Sequence, residues 1–130
     1  MSGAASGPGL PPPWTAPALV AVCADGRDLS DRVHARFGRA GFFQLVDPET
    51  MAVTLISNDE NRAVAQGAGT GAVELLAERG VTALIATRVG PKAAEALRYA
   101  AIPVYAAADV TVGEAVAAFC RGGLARVDEV

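Results

Sequence analysis

The rhythm of apolar residues changes partway along this chain, and that change restricts the folds open to it more than any other feature. Three short apolar runs come first: Leu19 to Ala24 (LVAVCA), Phe42 to Val46 (FFQLV) and Ala52 to Ile56 (AVTLI). The first is continuous and closes on Asp25-Gly26, which suits a strand buried on both faces and followed by a turn. The second and third flank a turn that opens with Asp47-Pro48, so they read as an antiparallel hairpin.

Beyond residue 69 helical and strand periods alternate. Val73, Leu76 and Ala77 keep helical spacing within Ala72 to Arg79, and Gly80 supplies a left-handed cap. Val81 to Ala86 (VTALIA) reads as the fourth strand. Gly90-Pro91 places proline at the first position of a helix that carries Ala93 to Ala100, where its missing N–H costs nothing. Ile102 to Tyr105 gives the fifth strand. Thr111 and Glu114 form a capping box, and Val112, Ala115, Val116, Phe119 and Cys120 line one face of a third helix ending near Gly122-Gly123.

This order starts as a meander and finishes in right-handed crossovers. It predicts an α/β fold with a mixed five-stranded sheet, order 3-2-1-4-5, and helices on both faces, the ribonuclease-H-like topology. With 130 residues, 52% of them apolar, the chain has material for one buried core. The domain is expected over residues 18–124. A disordered Pro/Gly-rich tail, with Trp14 after Pro11-Pro12-Pro13, is expected over 1–17, and a short C-terminal tail over 125–130.

Composition removes several functions. A net charge of −3 gives no electrostatic reason to bind nucleic acid or an anionic membrane. No apolar stretch is long enough to span a bilayer, and the first residues lack a secretory pattern, so the expected location is cytoplasmic. Cys23 and Cys120 have neither CxxC nor Cys/His spacing, which argues against a disulfide framework or a zinc site.

In a sheet of this order, ligands gather beyond the carboxyl ends of the strands where connections diverge, here between strands one and four. The candidate walls are Asp25-Gly26, the segment Val33 to Arg39 and Thr87-Arg88-Val89-Gly90, with Gly67-Ala68-Gly69 opening a helix nearby. Arg36, Arg39 and Arg88, with the N–H groups of two helix starts, make a local positive pocket suited to an anion. Gly67, Gly69 and Gly90 also serve as plain helix caps, and loop arginines are commonly solvated.

His34 is the only histidine. One histidine cannot hold a bare metal ion in a closed site, whereas a cluster carrying its own sulfides needs far fewer protein donors. Cys23 and His34 are the candidate metal donors. Enzymatic readings fare worse. Asp25 and Glu74 offer two carboxylates for two-metal nuclease chemistry, but Thr87-Arg88 stands where a third acid belongs. No serine or cysteine is placed beside His34 as a nucleophile, so the chain is not expected to be an enzyme.

Taken in order, Val20-Ala-Val-Cys-Ala-Asp-Gly, Phe37-Gly-Arg-Ala, Gly67-Ala-Gly before a helix and Val89-Gly-Pro with Ile102-Pro-Val-Tyr resemble the dinitrogenase iron-molybdenum cofactor biosynthesis family. The resemblance covers about residues 19–124. It implies a carrier of an iron–sulfur or iron–molybdenum type cluster or precursor, working with metallocofactor assembly proteins as a monomer or weak homodimer. The family's usual segment is His-Phe-Gly-Arg, its histidine being the favoured ligand; here Arg36 stands in that place, with His34 two residues upstream. Many relatives carry small residues where this chain has Thr87-Arg88. The resemblance thus implies a binding set of Cys23, Asp25, His34, Arg36, Arg39, Gly67, Gly69, Arg88 and Gly90, with a cofactor-free accessory protein of the same fold as the alternative.

Overall fold

The computed structural model describes residues 19–58 and 68–126. The expected tail at 1–17 and Gly67 lie outside the described residues. Five strands form one sheet: β1 (Val20–Ala24), β2 (Phe42–Val46), β3 (Val53–Ser57), β4 (Ala83–Ala86) and β5 (Val104–Ala106). Their order is β3-β2-β1-β4-β5, as the sequence predicts. β1 pairs antiparallel with β2 and parallel with β4. β2 and β3 are antiparallel, and β4 and β5 are parallel.

Three helices cover the two faces: α1 (Ala68–Glu78), α2 (Pro91–Tyr99) and α3 (Val112–Cys120). Alternation along β1 divides the core, because successive side chains of a strand point to opposite faces. Ala21 and Cys23 join Phe43, Leu45 and Leu84 beneath Val73 and Leu76 of α1 and Leu97 of α2. Val20, Val22 and Ala24 join Val46 and Ile85 beneath Val112, Val116 and Phe119 of α3. Every residue of β1 and β4 is buried, which is why their sequences run apolar without alternation.

All three helices end in the same motif. The N–H two residues past the cap bonds back five residues, Val81 to Leu76, Ile102 to Leu97 and Gly123 to Ala118, while the preceding N–H makes the inner bond. The motif needs a left-handed residue, supplied by Gly80, Gly122 and, after α2, Ala101 at φ 61°. It also moves two strand boundaries. Val81 and Ile102 are spent on closing helices, so β4 begins at Ala83 and β5 at Val104 rather than at those residues. α1 begins at Ala68, four residues before the periodic apolar stretch.

At α3 every early N–H has a partner. Thr111 and Glu114 close the predicted capping box, Val112 N donates to Asp31 O, and Gly113 N donates to Leu29 O. Past the boundary drawn at residue 124, Arg126 bridges Tyr105 and its guanidinium lies 5.9 Å from that ring's centre.

Candidate functional site

β1 outruns β4. Its pairing with β4 ends at Val22 opposite Ile85, whereas β2 stays in register through Ala24 opposite Phe42. One edge of Cys23 to Asp25 is therefore left without a strand, and a buried backbone must find partners. The chain supplies them by folding back. Cys23 O accepts from His34 N at 2.9 Å, Asp25 N donates to Arg32 O at 3.0 Å, and Ala24 bridges Val33. Farther along, Phe37 N donates to Arg88 O at 3.2 Å, just past β4.

The segment Arg32 to Phe37 is thus a strap across the gap between the diverging ends of β1 and β4. Phe37 anchors it, 2% exposed, with its ring centre 5.5 Å from that of Phe43. Burial of such a ring contributes about 1.5–3 kcal/mol. The crevice expected between strands one and four is therefore spanned by main chain, and the side chains of interest stand on its rim.

On that rim His34 is part-buried, its side chain 27% exposed, and its Nε2 faces Asp25 Oδ1 at 3.8 Å. Its Nδ1 lies 2.9 Å from the Arg36 nitrogen and 3.0 Å from the Arg36 carbonyl oxygen. Arg36 is extended, at φ −126°, and a single 3-10 turn, Phe37–Arg39, begins only after it. Histidine and arginine therefore share a loop and not a helix. Arg39 N donates to Arg36 O, and the Arg88 carbonyl holds Phe37, so the three arginines are gathered onto one rim through main-chain bonds. Arg36 and Arg88 are exposed and Arg39 is partly so.

Cys23 is placed elsewhere. It is fully buried, points away from α3 and packs with Phe43 and Leu84 under α1 and α2. Burial pushes its thiol far up, a backbone hydrogen bond opposing this only in part, so the thiolate that a metal requires is disfavoured. The parity of β1 makes Cys23 a core residue and removes it from the rim donors. The remaining donor set is one imidazole and one carboxylate. Among the described residues no three His, Cys, Asp or Glu side chains converge as a metal ion would need.

The glycines divide as well. Gly90 caps α2 with ordinary backbone angles, and a Cβ there would meet nothing within 4 Å, so no close approach demands glycine. Gly69 lies in the first turn of α1. Gly26, beside Asp25, is the constrained one: a Cβ there would overlap the Asp31 carboxyl, which accepts Asp28 N at 2.8 Å. Sequence reasoning passed over Gln44, the single polar residue in FFQLV. It is fully buried, and its Nε2 donates to Gly26 O at 3.0 Å and to Asp28 O at 2.8 Å.

Residues 18–122 match the dinitrogenase iron-molybdenum cofactor family. The chain belongs to that family. Among solved structures of similar shape, the apo form of the orange protein from Desulfovibrio gigas is 38% identical, with a TM-score of 0.81 over 84% of this chain and 92% of that one. A NifB-related protein from Thermotoga is 39% identical, with a TM-score of 0.76 over 87% and 96%. An uncharacterized protein of Methanocaldococcus jannaschii is 29% identical over 76% of this chain and 86% of its own length. Within this dinitrogenase cofactor fold, no helix of the described residues is long and apolar enough to cross a membrane.

Proposed function

We propose that this chain is a cytoplasmic carrier, without catalytic activity of its own, whose cargo is an iron–sulfur or molybdenum–iron–sulfur cluster or its precursor. It takes the cargo on the strap rim and hands it to metallocofactor assembly proteins. The observation that carries the reading is His34 mounted at the end of β1 with exposed Arg36 and Arg88 gathered by the same strap.

The donor set suits preassembled cargo better than a bare ion. A free divalent metal needs about four ligands, and the rim offers His34 and Asp25. An anionic cluster brings its own sulfides and asks the protein for one donor and compensating positive charge. His34 fills the first role and the arginines the second. Membership of a family named for the iron-molybdenum cofactor supports this choice of cargo. So does the likeness to an orange protein described in an apo form, a term that presupposes a loaded one.

Reconstitution of the wild-type chain under strict anaerobiosis with iron, molybdate and sulfide, followed by metal analysis and visible absorption, tests the reading. A coloured protein with bound metal is expected, and a colourless wild type sinks it. One observation favours a second reading, a cofactor-free accessory protein: Arg36 occupies the place of the family's usual ligand histidine. Under that reading only a histidine-bearing variant would take up colour.

A further inference from the structure

Gln44 is an expensive residue to keep where it is. It sits in the middle of β2, opposite Val22 of β1, with no exposed surface. Its Oε1 is buried and accepts no hydrogen bond from any of the described residues. Turning the amide over would not help, because both protons of Nε2 are already spent on the carbonyls of Gly26 and Asp28, and an oxygen in that place would face oxygen. A core position that leaves an acceptor unpaired gains less than an apolar residue of the same volume would.

What the amide does achieve is local. The second half of the 25–31 loop is tied to α3, through Leu29 O and Asp31 O. Its first half, Gly26 to Asp28, is tied to β2 by the two hydrogen bonds of the Gln44 amide, beside the contact of the Arg27 guanidinium with the Phe42 ring at 5.3 Å. That half follows directly on Asp25, whose carboxylate faces His34 Nε2 at 3.8 Å.

We infer that Gln44 is a positioning residue, a latch from β2 that fixes the loop and thereby holds Asp25 against His34 on the rim. Its link to cargo rests on the carrier reading above; the latch itself does not.

The test uses the full-length chain, wild type and Gln44→Met, which keeps the volume and removes both donors. In the wild type, the two Nε2 protons of Gln44 should exchange with solvent at least tenfold more slowly than those of a free glutamine amide. Fast exchange overturns the latch without need of any variant. In Gln44→Met, thermal stability should hold, while backbone order parameters at Gly26 to Asp28 fall from about 0.85 to below about 0.6. An unchanged loop overturns the latch.

The second readout is the visible absorption of protein loaded anaerobically with ferrous iron and sulfide, followed during a chelator challenge. The variant should lose its colour at least tenfold faster than the wild type. A loosened loop with unchanged cluster lifetime overturns the positioning role. If the wild type takes up no cluster, the carrier reading and the positioning role fail together, and the latch is still decided by exchange and loop order.

Discussion

His34 folds its imidazole back onto the peptide of Arg36, so that one ring nitrogen, Nδ1, meets both the N–H at 2.9 Å and the carbonyl at 3.0 Å. A single nitrogen cannot serve both. As an acceptor from Arg36 N–H, it leaves the proton on Nε2, directed at the Asp25 carboxylate. As a donor to Arg36 O, it leaves the Nε2 lone pair open to a metal but facing that carboxylate.

The first arrangement satisfies more groups, so in the cargo-free protein Nδ1 of His34 is expected to accept from Arg36 N–H while Nε2 carries a proton. Two-bond nitrogen–proton correlation spectra distinguish the two tautomers directly. Loading with cluster should move the proton to Nδ1. A ring already protonated at Nδ1 before loading would contradict this account.

Arg36→His should be structurally silent. The strap uses the main chain of residue 36, and the arginine side chain is exposed. Stability should stay within about 0.5 kcal/mol, the usual range for surface changes. Cluster retention should rise, because a second imidazole joins the rim. Equilibrium denaturation and the chelator challenge measure the two effects separately.

Cys23 predicts a pH dependence whose sign follows from burial. Its thiol stays protonated in the folded chain, while in the unfolded chain it ionises near the ordinary value of about 9. Below that pH both states are protonated and the group is neutral in effect. Above it the unfolded state sheds a proton that the folded state keeps, so stability falls as pH rises. The Cys23 contribution should approach about 1.4 kcal/mol per pH unit above pH 9, so the slope should be shallower in Cys23→Ala, where Cys120, its thiol also raised by burial, leaves a smaller one of the same sign. Denaturant titrations at pH 8, 9 and 10 read it. A thiol-specific reagent at neutral pH should reach Cys23 only on unfolding.

Ala101 is a left-handed alanine where the other two helix ends use glycine. The left-handed conformation costs an L-residue about 1–2 kcal/mol, partly offset by the greater entropy that glycine loses on folding. Ala101→Gly should therefore stabilise by about 0.5–1 kcal/mol. Gly80→Ala should destabilise by a similar amount, and since a Cβ there meets nothing within 4 Å, the cost is purely conformational. Thermal melts of the two variants should move in opposite directions.

The fold was legible where a residue has one local role. Phe42 to Val46 matches its strand end to end, Thr111 with Glu114 forms the capping box, and Gly80 has the positive φ its cap needs. The site was less so, for two physical reasons. LVAVCA is apolar on both faces, so no alternation reveals which side Cys23 takes, and only the pairing with β2 decides it. The strap is held by backbone groups, which leave no mark on residue type. Gln44 did leave a mark, a lone amide in an apolar run, and its partners became visible only with the loop folded over it.

Apart from the ring of His34 and the buried side chains of Val33 and Phe37, the strap grips the sheet through peptide groups. Peptide groups are the same whatever the side chain, so the exposed residues 32 and 36 are free of structural duty in a way that the core is not. This makes the rim evolvable: cargo preference can be rewritten there one substitution at a time, from a histidine at one position to an arginine at another, without the fold having to be found again.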